Sequence, residues 1–138
     1  MSNWNMNCQL FRVSRPGADS YAIFYDDGTA LYVVYNPATK RDAQAKLTTR
    51  AGVMTLERNG WNVKPVAPRF DFENSEGAGG ISMKFKMNGP VVPAICIGGE
   101  IFFRSANNVR SYASPFAAVK DGMILASRTD IGWPKNNV

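Results

Sequence analysis

The stretch SYAIFYDDGTALYVVYN, residues 20–36, constrains the fold most. Two runs rich in aromatic and β-branched residues flank Asp27-Gly28, which is the signature of a β-hairpin with a tight turn. A two-residue type I′ turn at Asp27-Gly28 sets Tyr25 opposite Ala30, Phe24 opposite Leu31, Ile23 opposite Tyr32, Ala22 opposite Val33 and Tyr21 opposite Val34. One face then carries Ala22, Phe24, Leu31, Val33 and Tyr35, almost purely apolar, and belongs on a core. The other carries Tyr21, Ile23, Tyr25, Tyr32 and Val34, with three phenols that tolerate a half-wet position because each hydroxyl can keep a water.

The rest of the chain is read outward from this hairpin. CQLFRVSR (8–15) alternates as a strand, and PGAD supplies turn residues. TKRDAQAKLTTRAGVMTLERNG (39–60) is expected to hold a long amphipathic helix over about 40–58. Thr39 and Asp42 have capping-box spacing, Asn59-Gly60 offers a left-handed stop, and Ala43, Leu47, Ala51 and Met54 fall on one stripe beside Lys46 and Arg50. VKPVAPRFDF (63–72) suits an edge segment because of its prolines. ISMKFKM (81–87) alternates, with Ile81, Met83, Phe85 and Met87 on one side and Ser82, Lys84 and Lys86 on the other.

Asn88-Gly89 and Gly98-Gly99 are further hairpin turns. With two-residue loops they align Lys84, Pro93 and Arg104 on one face with Lys86, Ile95 and Phe102, although Pro90 and Pro93 interrupt that strand. SPFAAVKDG (114–122) reads as a short helix over about 115–120, capped by Ser114 and opened by Pro115. The resulting expectation is a single α+β domain over 1–138, with antiparallel β-meanders in one or two sheets, a long helix on one face and no sequence repeat period.

Function is constrained first by what is missing. The chain has no histidine, which removes the commonest general base and metal ligand. No Gly-x-Ser-x-Gly or Ser-x-x-Lys stretch occurs, and GAGGISMK fits neither a P-loop nor a dinucleotide fingerprint. A carboxylate enzyme would have to use Asp71 and Glu73, with Glu76 nearby, in DFENSE, around a hydrated Mg²⁺; an acidic loop rim is the plainer reading. No cofactor is expected. Cys8 and Cys96 sit in apolar runs as small buried hydrophobes. The opening MSNWNMNCQL lacks a cationic start and a long apolar run, so the expectation is a soluble, cytoplasmic chain with no membrane partner.

Lys and Arg outnumber Asp and Glu by 16 to 11, a net charge of +5 that favours anionic partners. Non-catalytic recognition of such partners sets cations beside rings on which bases stack. Two surfaces have that composition. One is Tyr21, Tyr25 and Tyr32, bordered by Arg12 and Arg15; the other is Lys84, Lys86, Phe102 and Arg104. Against the first stands a second core layer beneath the helix, and against the second a solvated sheet face whose lysines deter edge pairing. There is no RNP-type aromatic motif, no GXXG clamp and no Trp-Gly-Arg module.

The expected function is therefore a non-catalytic binding protein whose basic and aromatic sheet face engages nucleic acid or another polyanion. The alternative is a protein-binding inhibitor, of the kind viruses and mobile elements carry, or an assembly component acting through Tyr, Phe and Arg. Self-association is compatible with both.

Overall fold

The computed structural model describes residues 8–39, 41–66, 78–85 and 89–125. The chain folds as β1 (Cys8–Arg15), β2 (Ala18–Tyr25), β3 (Thr29–Tyr35), β4 (Gln44–Thr49), α1 (Val53–Arg58) and β5 (Asn62–Pro65). Then follow β6 (Ala78–Lys84), β7 (Val91–Ile97), β8 (Glu100–Ser105), β9 (Asn108–Tyr112), α2 (Pro115–Lys120) and β10 (Ile124–Leu125). Two five-stranded antiparallel sheets result, ordered β4-β3-β2-β1-β5 and β10-β6-β7-β8-β9. Their inner faces meet in a core built from Cys8, Leu10, Ile23, Tyr25, Leu31, Val33, Tyr35, Ile95, Ile97 and Phe102. Each outer face is apolar as well. Phe11, Val13, Ala22, Phe24, Ala30 and Val63 pack with Val53 and Leu56 of α1, while Ile81, Met83, Val92, Ala94, Ile101 and Phe103 pack with Ala118 of α2.

The two sheets have one topology, a four-stranded meander followed by a short helix and a fifth strand beside the first. Strand registers align them residue by residue. Tyr25 and Ile97 close their hairpins at matching positions, so Ile23 corresponds to Ile95, Leu31 to Phe102, Lys46 to Arg110 and Asn62 to Ile124. The helix ends agree independently. Gly60 and Gly122 share φ = 89°, and the amides of Trp61 and Met123 bond back to Leu56 and Ala118, the same Schellman closure in both halves. Like strands lie across from each other, β2 on β7, β3 on β8 and β4 on β9. The end of β8 reaches the start of β3, through Arg104 and Thr29, so stacked strands run in opposite senses and an approximate two-fold axis relates the halves.

Three expectations are corrected. The long helix over 40–58 does not form, and the protein is mostly β, not α+β: residues 44–49 are strand β4, and α1 covers 53–58 alone. QAKLTT also alternates, with Ala45 and Leu47 packing on the inter-sheet core while Gln44 and Lys46 stay exposed. Pairing with β3 satisfies a whole row of backbone groups that a helix would leave open. Asp42 takes φ = 58°, a left-handed turn residue and not the third residue of a capping box, and Gly52 precedes α1 without a side-chain cap.

The hairpin at 20–36 also differs, by one residue. Phe24 pairs with Ala30, Ile23 with Leu31 and Tyr21 with Val33, so the loop is Asp26-Asp27-Gly28. The Gly28 amide bonds to the Tyr25 carbonyl and Gly28 adopts φ = 87°, a type I turn closed by a left-handed glycine. That slip turns every β3 side chain to the opposite face from the one expected. Tyr32 therefore lies on the outer face, away from Tyr21 and Tyr25.

Gly98-Gly99, both at positive φ (56° and 88°), does form the two-residue turn. The loop before β7 is longer than two residues, so Ser82, not Lys84, pairs with Pro93. The shift is even and leaves the faces unchanged. Pro93 shows its cost in β7, where the ladder to β8 stops at Ala94–Phe103, one residue short of the position that needs the proline's missing N–H.

Candidate functional site

Of the residues expected to form the lysine face, Lys84, Phe102 and Arg104 are on one side of the second sheet, but that side is the inter-sheet core. Phe102 is buried. Arg104 is 8 % exposed and holds the two sheets together. Its guanidinium lies 2.9 Å from Asp27 Oδ2, donates to Thr29 Oγ1 at 2.8 Å and to the Ala106 carbonyl at 2.6 Å, and covers the Tyr25 ring at 4.8 Å. Burial pushes the Asp27 carboxyl up; hydrogen bonds from Arg104 and Thr29 more than offset this, leaving it below its ordinary value. Arg104 is thus a paired structural cation, and the premise that it faces solvent is corrected. Lys84 is half-buried, and Lys86, Asp71 and Glu73 lie outside the described residues.

The tyrosine face is likewise divided. Tyr25 is sealed at 2 % exposure, and its hydroxyl has no hydrogen-bond partner among the described residues. Burial drives its pKa far up. Tyr21 is half-buried and stacks on Tyr35, with centroids 6.0 Å apart. Beside them Asp19 is buried and receives Arg12 in a bidentate pair, Nε at 3.0 Å and Nη2 at 2.7 Å, together with the Tyr35 hydroxyl at 2.8 Å. Both Asp19 carboxylate oxygens are engaged by donors, so the buried charge is satisfied at the rim of the core. Arg15 is exposed and lies over the Trp61 ring at 4.3 Å, on the α1 side.

What the sequence reading missed is the outer face of the first sheet. Tyr32 pairs across the ladder with Lys46, and Val34 with Gln44. Tyr32 is half-buried, its ring edge-on to Phe24 at 6.2 Å, and the guanidinium of Arg50 lies 5.7 Å from the Phe24 ring. Burial raises the Tyr32 pKa, and the positive charge of Arg50 works against that rise, which puts cation and phenol in one field. Val34 stands 49 % exposed beside them. Lys46 and Arg50 are exposed and join no ion pair among the described residues. The signal was present in Tyr32, Lys46 and Arg50, but it required β4 to be a strand.

No family model, curated protein or solved structure matches this chain. No helix among the described residues is long and apolar enough to cross a membrane.

Proposed function

We propose that this chain is a non-catalytic binding protein and that an anionic macromolecule, nucleic acid or another polyanion, engages it on the outer face of the first sheet around Tyr32, Lys46 and Arg50. One observation carries the reading: two exposed cations, neither with a carboxylate partner among the described residues, flank a half-exposed ring on the sheet. That combination attracts phosphate or carboxylate by charge and offers a surface for stacking. Arg15 over Trp61 extends the cationic and aromatic character beyond α1. Arg104, Phe102 and Tyr25, buried between the sheets, support this surface from behind and do not touch the partner.

The test is fluorescence anisotropy with a labelled oligothymidylate and with heparin at two salt concentrations. Affinity should fall as salt rises. Lys46→Glu with Arg50→Glu should weaken binding by more than tenfold and reduce the salt dependence by about two ions. Equal affinity in that double variant, with its fold intact by circular dichroism, refutes the assignment.

A second reading, a protein-binding inhibitor or assembly component, is favoured by Phe116 and Val119, which are 76 % and 55 % exposed one turn apart on α2. A complex captured equally with and without nuclease, and lost in Phe116→Ser, would select it.

A further inference from the structure

The first sheet ends at β4, an edge that no strand among the described residues covers, and the hydrogen-bond pattern shows which groups it offers. The Arg50 amide donates to the Gly28 carbonyl at 2.8 Å. Antiparallel ladders alternate, so Gln44, Lys46 and Thr48 turn their backbone groups toward β3. Ala45, Leu47 and Thr49 therefore aim N–H and C=O outward, where no strand among the described residues pairs with them. The other edges are poorer templates. β5 ends in Pro65, β10 has two residues, and β9, shorter than β4, has its Arg110 drawn over the Phe103 ring.

The side chains along β4 select what can be added. On the outer face Lys46 is exposed with Arg50 beyond it; on the inner face Ala45 and Leu47 continue the apolar row of the inter-sheet core. A second copy of β4 would bring lysine and arginine against like charges and is disfavoured. A strand that alternates acidic with apolar residues meets both rows.

We propose that the anionic partner is an extended peptide segment, alternating acidic and apolar, that adds to β4 as a sixth strand of the first sheet. This rests on the anionic-partner reading above and names its chemistry: backbone pairing to Ala45, Leu47 and Thr49, acidic side chains beside Lys46 and Arg50, and apolar ones extending the row of Leu47.

The probes are a capped octapeptide of alternating Glu and Val, its Lys-Val counterpart, the Glu-Val peptide N-methylated at alternate amides, and heparin. The Glu-Val peptide should bind, the Lys-Val peptide should not, and amide exchange at Ala45, Leu47 and Thr49 should slow on binding. Lys46→Glu should weaken Glu-Val binding at least tenfold and admit Lys-Val. Ala45→Pro removes an outward N–H that β3 does not use and should weaken binding similarly while leaving the unfolding midpoint near that of the parent protein. If that variant does not fold, the N-methylated peptide decides, because its failure to bind requires backbone pairing. Heparin binding at Lys46 without protection of the three amides, or equal binding of the N-methylated peptide, overturns strand addition and leaves the anionic reading standing. No binding to the Glu-Val peptide or heparin removes both.

Discussion

Replacing Arg104 by alanine should unlatch the two sheets at one end. The side chain is 10 % exposed and makes an ion pair at 2.9 Å, two hydrogen bonds and a cation–π contact, so its removal strips four interactions from one place. Breaking a fully buried pair costs about 3–5 kcal/mol, but the Asp27 side chain is 32 % exposed and can recover water, which trims the electrostatic part. With the lost contact to Tyr25 added, about 3 kcal/mol is expected, or roughly 10 °C in Tm for a chain of this size. Urea unfolding followed by circular dichroism reads it directly.

A double-mutant cycle with Asp27→Asn isolates the pair, with a coupling of about 1–2 kcal/mol expected. Arg104→Lys should not restore the loss, since a point charge cannot replace the planar fork. Acid supplies a second check. The Asp27 carboxyl is depressed in the folded state, so its contribution is present above the unfolded value of about 4 and disappears as pH falls through the folded value. The acid limb of the stability profile should flatten in Arg104→Ala. A loss below about 0.5 kcal/mol, or additive effects in the cycle, would refute the latch.

The two core tyrosines make opposite predictions. Tyr35→Phe deletes the bond to buried Asp19 and should cost about 1–2 kcal/mol by denaturant titration, whereas Tyr25→Phe removes a hydroxyl that has no partner among the described residues and should be neutral or stabilising. Burial pushes the Cys96 thiol up to about 12, so native Cys96 should resist iodoacetamide at pH 8 and label only on unfolding, as mass spectrometry can localise. Because this group's folded pKa is raised, its contribution to stability is whole below the unfolded value of about 8.5 and declines as pH rises from there toward 12.

Much of the fold was legible locally. Gly98-Gly99, the Ser114-Pro115 start of α2 and the glycine stop after Asn59 each depend on a few neighbouring residues, and the structure has all three. What failed required knowledge of distant chain. Asp26-Asp27-Gly28 supports either a two- or a three-residue turn, and the difference of one residue moves Tyr32 to the opposite face. QAKLTT satisfies both periodicities over a short window, and only the unfilled edge of β3 decides for strand. The alternation in ISMKFK suggested a wet side bearing Lys84, but both faces of the second sheet are covered, one by α2 and the other by the first sheet, so Phe102 and Arg104 are inside. The duplicated topology left no sequence period because the halves differ in loop lengths and share little beyond Ala22-Ile23 with Ala94-Ile95 and Gly60 with Gly122.

A homodimer of identical subunits must build each contact twice, once on either side of its symmetry axis. Joining the halves in one polypeptide lifts that obligation: the place Arg104 takes in the second half is held by Val33 in the first. The sandwich is bolted by the Asp27–Arg104 ion pair at one mouth, whereas the matching position of the other half carries the apolar packing of Val33, an asymmetry that a pair of identical subunits cannot have.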